Sequence, residues 1–441
     1  MIDQRVLQGG HYAAAVEGPE VYRARRRKVA EAIGENGVAV LLGATDTRSY
    51  GDVGTFRQDP SFFYLTGVEI PNAAVLIARD RDELYLPARK PALEAWLGPR
   101  YGPDEAAARE LGFETVRDVH GTEVVVEARR RPVPGFEAAV AELAASGKAL
   151  WLRLPPFSPS TPLTPEQQLI ARLRERLASF EVRDLAQVLT ELRLRKEPGE
   201  LALLEKAVAV TASALKAVAK ALRPGVSEGS LEGVAFATLR EKGAEGWAFP
   251  PIVGSGFAGC VLHYDQNAGV CGEGELVVVD MGARYGYYCG DLTRTFPVSG
   301  RFSPRQAELY DAVLAAYEAA VAAIRPGARL GDLRHHAYEA LKASGLTSVS
   351  GVPMSEFFLH GIGHFLGLET HDVGGESTPL EAGMVITVEP GVYIPEEGIG
   401  IRIEDDYLVT EGGSRCLTPP WLPRQRREVE ALLASASGAL D

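Results

Sequence analysis

Apolar and polar positions along this chain switch repeatedly between helical and strand-like periods, and the places where they switch outline its elements. VYRARRRKVAEAIGENGVAVLLGA opens at helical spacing, stops at Gly37 and enters an apolar strand over residues 38–42. Further strands are predicted at residues 73–78, 83–86 and 149–152, with helical stretches around Leu93 and over 135–145. Strands alternating with helices predict an α/β layer whose sheet is partly antiparallel. Prolines at 155, 156, 159, 162 and 165 then exclude a helix or a central strand. EQQLIARLRERLASF resumes helical spacing through Leu169, Ile170, Leu173 and Leu177, and a domain boundary is placed after it, at residue 181.

From residue 182 the pattern turns helical again, with two helices divided at Pro198, which stands near the start of the second. Arg-Pro-Gly recurs at Arg223 and Arg325, each time between a long alanine-rich helix and another helix, and each pair precedes apolar runs that end in acids. The recurrence points to two similar half-folds packed face to face with a site between them. Helices often end in Pro-Gly, so the motif alone does not establish the repeat.

Four carboxylates stand at the ends of apolar runs. LVVVD and YYCGD supply Asp280 and Asp291, and VITVEPGVYIPEEGIGIRIEDD supplies Glu389 and Glu404. A two-residue turn at Tyr285-Gly286 would set Asp280 directly opposite Asp291, with Cβ atoms about 4.5 to 5.5 Å apart. Bare carboxylates there repel, and cations between them remove that cost. Strand alternation puts Ile401 and Ile403 on one face and Arg402 with Glu404 on the other. Pro390-Gly391 fixes a turn just past Glu389. FLHGIGHFLGLETHDVGG holds His360, His364 and His371, although the whole chain has only 8 histidines. The spacing of His360 and His364 is that of helical zinc sites, but Gly361 and Gly363 argue against a helix, so the two histidines have different tasks.

Composition narrows the reading. A length of 441 residues predicts two domains, and 46% hydrophobic with 24% charged residues is ordinary for a soluble globular protein. No apolar run approaches the roughly 18 residues of a membrane span, and the start lacks a basic region followed by an apolar stretch, so the expected location is cytoplasmic. A net charge of −13 argues against a nucleic-acid partner. The 4 cysteines lie far apart without a paired spacing and read as reduced thiols. Oxygen donors with a few imidazoles form a hard site that favours Mn, Co or Fe over thiolate-bound structural zinc, with Mn(II) the first choice. A pair of such ions would hold and deprotonate water and polarise a carbonyl oxygen, which is hydrolytic chemistry. The competing reading is a set of acids that merely cap strands near solvent.

These motifs carry a resemblance. Along nearly its whole length the chain resembles the Xaa-Pro aminopeptidases, also called aminopeptidase P, of the pita-bread metallopeptidase superfamily. The Asp, Asp, His, Glu and Glu that bind metal in that family fall on Asp280, Asp291, His364, Glu389 and Glu404, none of them substituted. Its outer histidines fall on His263 in VGSGFAGCVLHYDQN, on His360, and on His371 in THDVGG, and its arginine falls on Arg402 in GIRIEDD. FRQDPSFFYLTGVEIPNAAVLI resembles the family's N-terminal domain, a motif shared with prolidases. The departure at Phe257-Ala258, where a more polar pair is usual, bears on substrate preference.

The resemblance implies an α+β protein: a pita-bread catalytic domain over 182–441 behind a smaller α/β domain over 1–181. It implies two divalent ions, Mn(II) first with Co, Zn or Fe as alternatives, and release of the N-terminal residue from peptides with proline second. Glu389 would be ligand and proton acceptor, His371 and His263 would steady the oxyanion and the proline side, His360 would position the peptide, and Arg402 would orient a carboxylate or relay protons. The partners implied are peptides, not nucleic acid or membrane. A homodimer or homotetramer is expected, with the loop around Trp96 near a neighbouring active site. A dipeptidase limited to Xaa-Pro dipeptides, a metal-free hydrolase of the same fold and a non-enzymatic binding module are the other readings.

Overall fold

Glycines and prolines set many of the helix ends in the computed structural model of the protein, which describes residues 17–45, 56–92, 94, 98–126, 129–155 and 160–437. Leu93, Trp96, Pro156 and Pro159, on which expectations were placed, lie outside these residues. The chain divides into two compact units, Met1–Leu192 and Arg193–Asp441.

The first unit opens with α1 (Pro19–Ile33), which carries proline in its first turn and ends at Gly34 with φ 77, three positions before the expected stop at Gly37. After it come β1 (Gly37–Leu42), α2 (Pro60–Thr66), β2 (Ala74–Ala78), β3 (Arg81–Leu86), α3 (Glu105–Leu111), β4 (Thr115–Asp118), the hairpin β5 (Gly121–Val126) and β6 (Arg129–Pro134), α4 (Phe136–Ala145), β7 (Ala149–Leu152), α5 (Pro165–Arg174) and β8 (Val182–Asp184). One sheet has the order β4-β3-β2-β1-β7-β8. β2 runs antiparallel to β1 and β3, and the remaining pairs are parallel, as a partly antiparallel sheet requires. Val38, Val40, Leu76, Leu150 and Leu152 meet Leu169, Ile170 and Leu173 of α5 in one buried core, with Leu177 packed against it. Thr164 and Gln167 close a capping box ahead of α5, with Pro165 in the first turn. β8 pairs with β7, so the residues just past 181 complete this sheet.

Helix α6 (Ala186–Leu194) spans the division between the units. The second unit contains α7 (Pro198–Ala221), α8 (Glu228–Glu241), β9 (Gly246–Trp247), β10 (Ile252–Ser255), β11 (Leu276–Met281), β12 (Ala283–Tyr285), β13 (Tyr288–Cys289) and β14 (Leu292–Pro297). Its later part contains α9 (Pro304–Ala322), α10 (Leu330–Ala343), β15 (Val385–Val388), β16 (Gly391–Ile394), β17 (Ile399–Arg402), β18 (Asp405–Thr410), β19 (Gly413–Cys416) and α11 (Arg426–Ser437). Helix pair α7–α8 precedes the sheet β10-β11-β14, and helix pair α9–α10 precedes the sheet β15-β18-β19.

Hydrogen bonds at the two Arg-Pro-Gly turns support the duplication that the motif hinted at. Gly225 N–H donates to Cys271 O at 2.9 Å, and Cys271 N–H returns to Val226 O at 2.9 Å. Gly327 N–H donates to Leu380 O at 2.8 Å, and Leu380 N–H returns to Ala328 O at 2.7 Å. Both glycines have positive φ, 81 and 86, which a side chain would resist. Cys271 and Leu380 each stand nine positions ahead of an acid, Asp280 and Glu389. The same turn therefore anchors the same length of chain before each acid.

Candidate metal centre

The strands deliver the acids, though not in the expected register. Tyr285 pairs with Tyr288, so the hairpin turns at Gly286-Tyr287 and not at Tyr285-Gly286. Both turn residues have positive φ, 56 and 73, as a tight two-residue hairpin turn needs. Asp280 consequently pairs with Thr293, and Asp291 is its diagonal neighbour on the same face instead of its direct partner. Glu389 follows β15 immediately, and Glu404 lies between β17 and β18.

His364 sits in an irregular loop, as Gly361 and Gly363 foretell, and β15 holds that loop by backbone bonds. Thr387 N–H donates to His364 O at 2.9 Å, and Glu389 N–H donates to Ile362 O at 2.8 Å. His364 N–H donates to Thr387 Oγ1 at 3.0 Å. Contact is close enough that a Cβ on Gly363 would lie 2.2 Å from Thr387 O.

Ligand-capable atoms of Asp291, His364 and Glu404 lie within 4.8 Å of one another. His364 Nε2 is 3.4 Å from Asp291 Oδ2 and 3.7 Å from Glu389 Oε1. Its Nδ1 lies 3.1 Å from Phe365 O, a carbonyl that can only accept, so Nδ1 carries a proton and Nε2 is the nitrogen that faces the acids. Arg402 donates to Asp280 Oδ2 at 2.6 Å and to the Tyr393 hydroxyl at 2.7 Å. Thr293 donates to Glu404 Oε2 at 2.6 Å, and Thr387 donates to Glu389 Oε1 at 3.4 Å.

Electrostatics explain what such a cluster wants. Burial pushes the Asp291 carboxyl well above its usual range, and Asp280, Asp406 and Glu389 push it further while Arg402 opposes them. Glu404 is raised by burial, then by Asp291, Glu389 and Asp280. Glu389 is raised by burial, against the pull of His364 and Arg402. Asp280 Oδ1 and Asp406 Oδ1 are buried without a hydrogen-bond partner. Buried carboxylate oxygens with neither a donor nor a full counter-charge are costly, and oxygen-rich sets of this kind fit divalent cations.

The outer residues converge here too. His360 Nδ1 lies 2.7 Å from Gly361 O and Nε2 lies 2.8 Å from the Tyr393 hydroxyl. The donors therefore run in one direction: Arg402 N–H to Tyr393 O, Tyr393 O–H to His360 Nε2, and His360 Nδ1–H to Gly361 O. Burial, followed by Arg402, pushes His360 down to about 4, so the ring is neutral. Arg334 donates to His360 O at 3.0 Å and fixes the backbone of that loop. His371 is exposed and packs edge-on against His364, ring centroids 4.4 Å apart. His263 is exposed, follows the 3-10 turn Gly256–Cys260, and acts electrostatically on both His360 and His371.

The four acids and the histidine expected to bind metal thus lie near one another, and Arg402, His360, His371 and His263 interact with members of that group or with each other. Tyr393, Thr293, Thr387, Arg334 and Asp406 were missed. Asp406 had a readable signal, because it stands two positions past Glu404 and so faces the same way in an extended chain. Asp291 N–H donates to Asp406 Oδ2 at 3.1 Å.

Comparison with known proteins shows the family. Residues 202–411 match the metallopeptidase family M24, and residues 22–131 match the aminopeptidase P N-terminal domain. The Xaa-Pro aminopeptidase of Escherichia coli (strain K12) is 33% identical, over 94% of this chain and 98% of that protein. The mitochondrial intermediate cleaving peptidase 55 of Arabidopsis thaliana is 32% identical, over 94% of this chain and 83% of that protein. The solved structure of Escherichia coli aminopeptidase P with the inhibitor Pro-Leu superposes with a TM-score of 0.84 at 30% identity, covering 96% of this chain and 100% of that one. An aminopeptidase P N-terminal domain followed by an M24 domain is the α+β, pita-bread arrangement that the resemblance implied. The chain belongs to the Xaa-Pro aminopeptidase, or aminopeptidase P, family of the M24 metallopeptidases.

Proposed function

We propose that this metalloaminopeptidase uses two divalent ions, Mn(II) by preference, to release the N-terminal residue from peptides whose second residue is proline. The observation that carries the proposal is the convergence of Asp280, Asp291, His364, Glu389 and Glu404 on one buried spot with unpartnered carboxylate oxygens. Asp280, Asp291, Glu389, Glu404 and His364 through Nε2 would hold the ions. When bound, such ions would supply an activated water and polarisation of a carbonyl oxygen.

The chain's own groups do the rest. Glu389, raised by burial and with its side chain 18% exposed, would take a proton on one of its carboxylate oxygens. Arg402 occupies Asp280 Oδ2 and so fixes which oxygen of Asp280 faces the cluster. Burial and Arg402 keep His360 neutral and Tyr393 orients it, which would leave it able to position a peptide without adding charge. His371 and His263, both exposed, would donate to the reacting oxygen and to the proline side of the substrate.

A reducing, cytoplasmic compartment fits four cysteines that are all free thiols. No described helix is long and apolar enough to cross a membrane. A homodimer or homotetramer is part of the proposal.

The test is peptide cleavage by the metal-free chain before and after Mn(II) is added, with Xaa-Pro-Xaa tripeptides, Xaa-Pro dipeptides and tripeptides lacking proline. The Arabidopsis relative, whose name does not mention proline, is the reason for the last set. Metal-dependent release from the proline tripeptides is expected, and Asp280→Asn and Glu389→Gln should each abolish it. Cleavage confined to dipeptides would make the enzyme a prolidase, and indifference to proline would remove the proposed specificity. Light scattering that finds a monomer at micromolar concentration would dismiss the oligomer.

A further inference from the structure

The loop that carries His364 and His371 is tied to a pair of buried cations outside the metal cluster. Lys196 Nζ lies 3.0 Å from Asp372 Oδ2, and both side chains are 1% exposed. Arg193, whose side chain is 3% exposed, contacts Asp372 Oδ1 and reaches Glu369 Oε2 at 2.8 Å. Arg193 lies in the last turn of α6 and Lys196 between α6 and α7, both ahead of the segment 202–411 that matches the metallopeptidase family. Lys196 is itself held, its Nζ donating to Arg193 O at 2.8 Å and its N–H to Gly383 O at 2.8 Å. Gly367 lets the loop fold over this pair, because a Cβ there would lie 2.0 Å from Asp372 Oδ2 and 2.9 Å from Lys196 Nζ.

Asp372 connects the cations to the site through one carbonyl. Its N–H donates to Phe365 O at 2.9 Å, and the same oxygen accepts from His364 Nδ1 at 3.1 Å. That acceptor decides which nitrogen of His364 faces the acids. The residue before Asp372 is His371, whose ring packs on His364. Moving the Asp372 carboxylate therefore moves both the acceptor that orients one imidazole and the backbone that carries the other.

We propose that Lys196 and Arg193, acting through Asp372, are positioning residues that aim His364 and His371 at the acid cluster. The inference rests on the metal-centre reading above. Groups that orient a ligand histidine from behind typically change metal affinity by about ten- to a hundredfold when lost, a change that a purely structural ion pair does not cause.

The experiment is titration of the metal-free full chain with Mn(II), following free Mn(II) by electron paramagnetic resonance, for the wild type, Lys196→Met, Asp372→Asn and Lys196→Arg. Lys196→Met and Asp372→Asn should bind Mn(II) about ten- to a hundredfold more weakly, and at saturating Mn(II) their kcat should fall with little change in KM. Lys196→Arg, which keeps the charge, should recover most of both. If Lys196→Met does not fold, the double variant Lys196→Met/Asp372→Asn leaves Arg193 paired with Glu369 and carries the same expectation. Variants that melt lower yet keep wild-type Mn(II) affinity and kcat would overturn the inference. A wild type that binds no Mn(II) would instead bring down the metal-centre reading, and the inference with it.

Discussion

Replacing Glu404 by glutamine should stabilise the metal-free protein, against the usual outcome for a change at a buried polar residue. The reason is repulsion. Carboxylate oxygens of Asp291 and Glu404 lie within 4.8 Å of each other, and both residues are buried. Two unit charges at that distance in a medium of effective dielectric constant near 20 repel by about 3.5 kcal/mol. Protonation of the raised carboxyls already relieves part of this, and glutamine weakens the bond that Thr293 donates to Glu404, by about 1 kcal/mol. A net gain of about 1–2 kcal/mol remains. Chemical denaturation of the second unit in a chelator reads it directly. In Mn(II) the order should reverse, because ligand at a hundred times its dissociation constant stabilises the wild type by about 2.7 kcal/mol while the variant has lost a ligand. A glutamine variant less stable than wild type in chelator, or gaining as much from Mn(II), would refute the reasoning.

The advantage of Glu404→Gln in chelator should shrink as pH falls. The folded-state value of Glu404 lies above its unfolded value, so the penalty is full above the folded value and gone below the unfolded one near about 4.3; denaturation from pH 8 downward checks this. His371→Ala and His263→Ala should lower turnover about a hundred- to a thousandfold with metal content nearly unchanged, as measured by kinetics beside metal analysis, and depleted metal would make these histidines ligands. Gly363→Ala should weaken Mn(II) binding and stability together, because its Cβ would meet the Thr387 carbonyl at 2.2 Å; thermal melts with and without Mn(II) show whether it does.

What could be read from the sequence, and what could not, divides along physical lines. The apolar runs of β11 and β15 are continuous, so the strands and the acids at their ends were visible without knowing what they pack against. The hairpin register was not. A preference for glycine at positive φ cannot choose between turns that both contain Gly286, and the structure puts Tyr287 at φ 73, a conformation rare for a residue with a side chain. The short run Glu404-Asp405-Asp406 hides a division of labour in the same way. Asp405 turns away to Arg294 at 2.8 Å and to the Tyr317 hydroxyl at 2.7 Å, held below the ordinary carboxyl range by Arg294 and Arg424 despite its burial. Asp406 turns towards Asp291 and is raised by burial. Tyr393, Thr293 and Arg334 act across long stretches of sequence, and no local pattern announces them.

The repeated turns at Gly225 and Gly327 imply that the catalytic unit can be cut where the two copies join. Ser299–Arg301 is a surface turn between β14 and α9, with Gly300 at φ 80. A chain opened there yields an amino-terminal fragment holding Asp280 and Asp291 and a carboxy-terminal fragment holding His364, Glu389 and Glu404. Neither fragment owns a complete set of ligands. Backbone pairing such as Glu404 N–H to Thr293 O at 3.1 Å would knit them together, while their acids push them apart until cations arrive. Divalent metal would then govern fragment complementation, so the unit could serve as a split reporter whose recovered hydrolysis tracks free Mn(II).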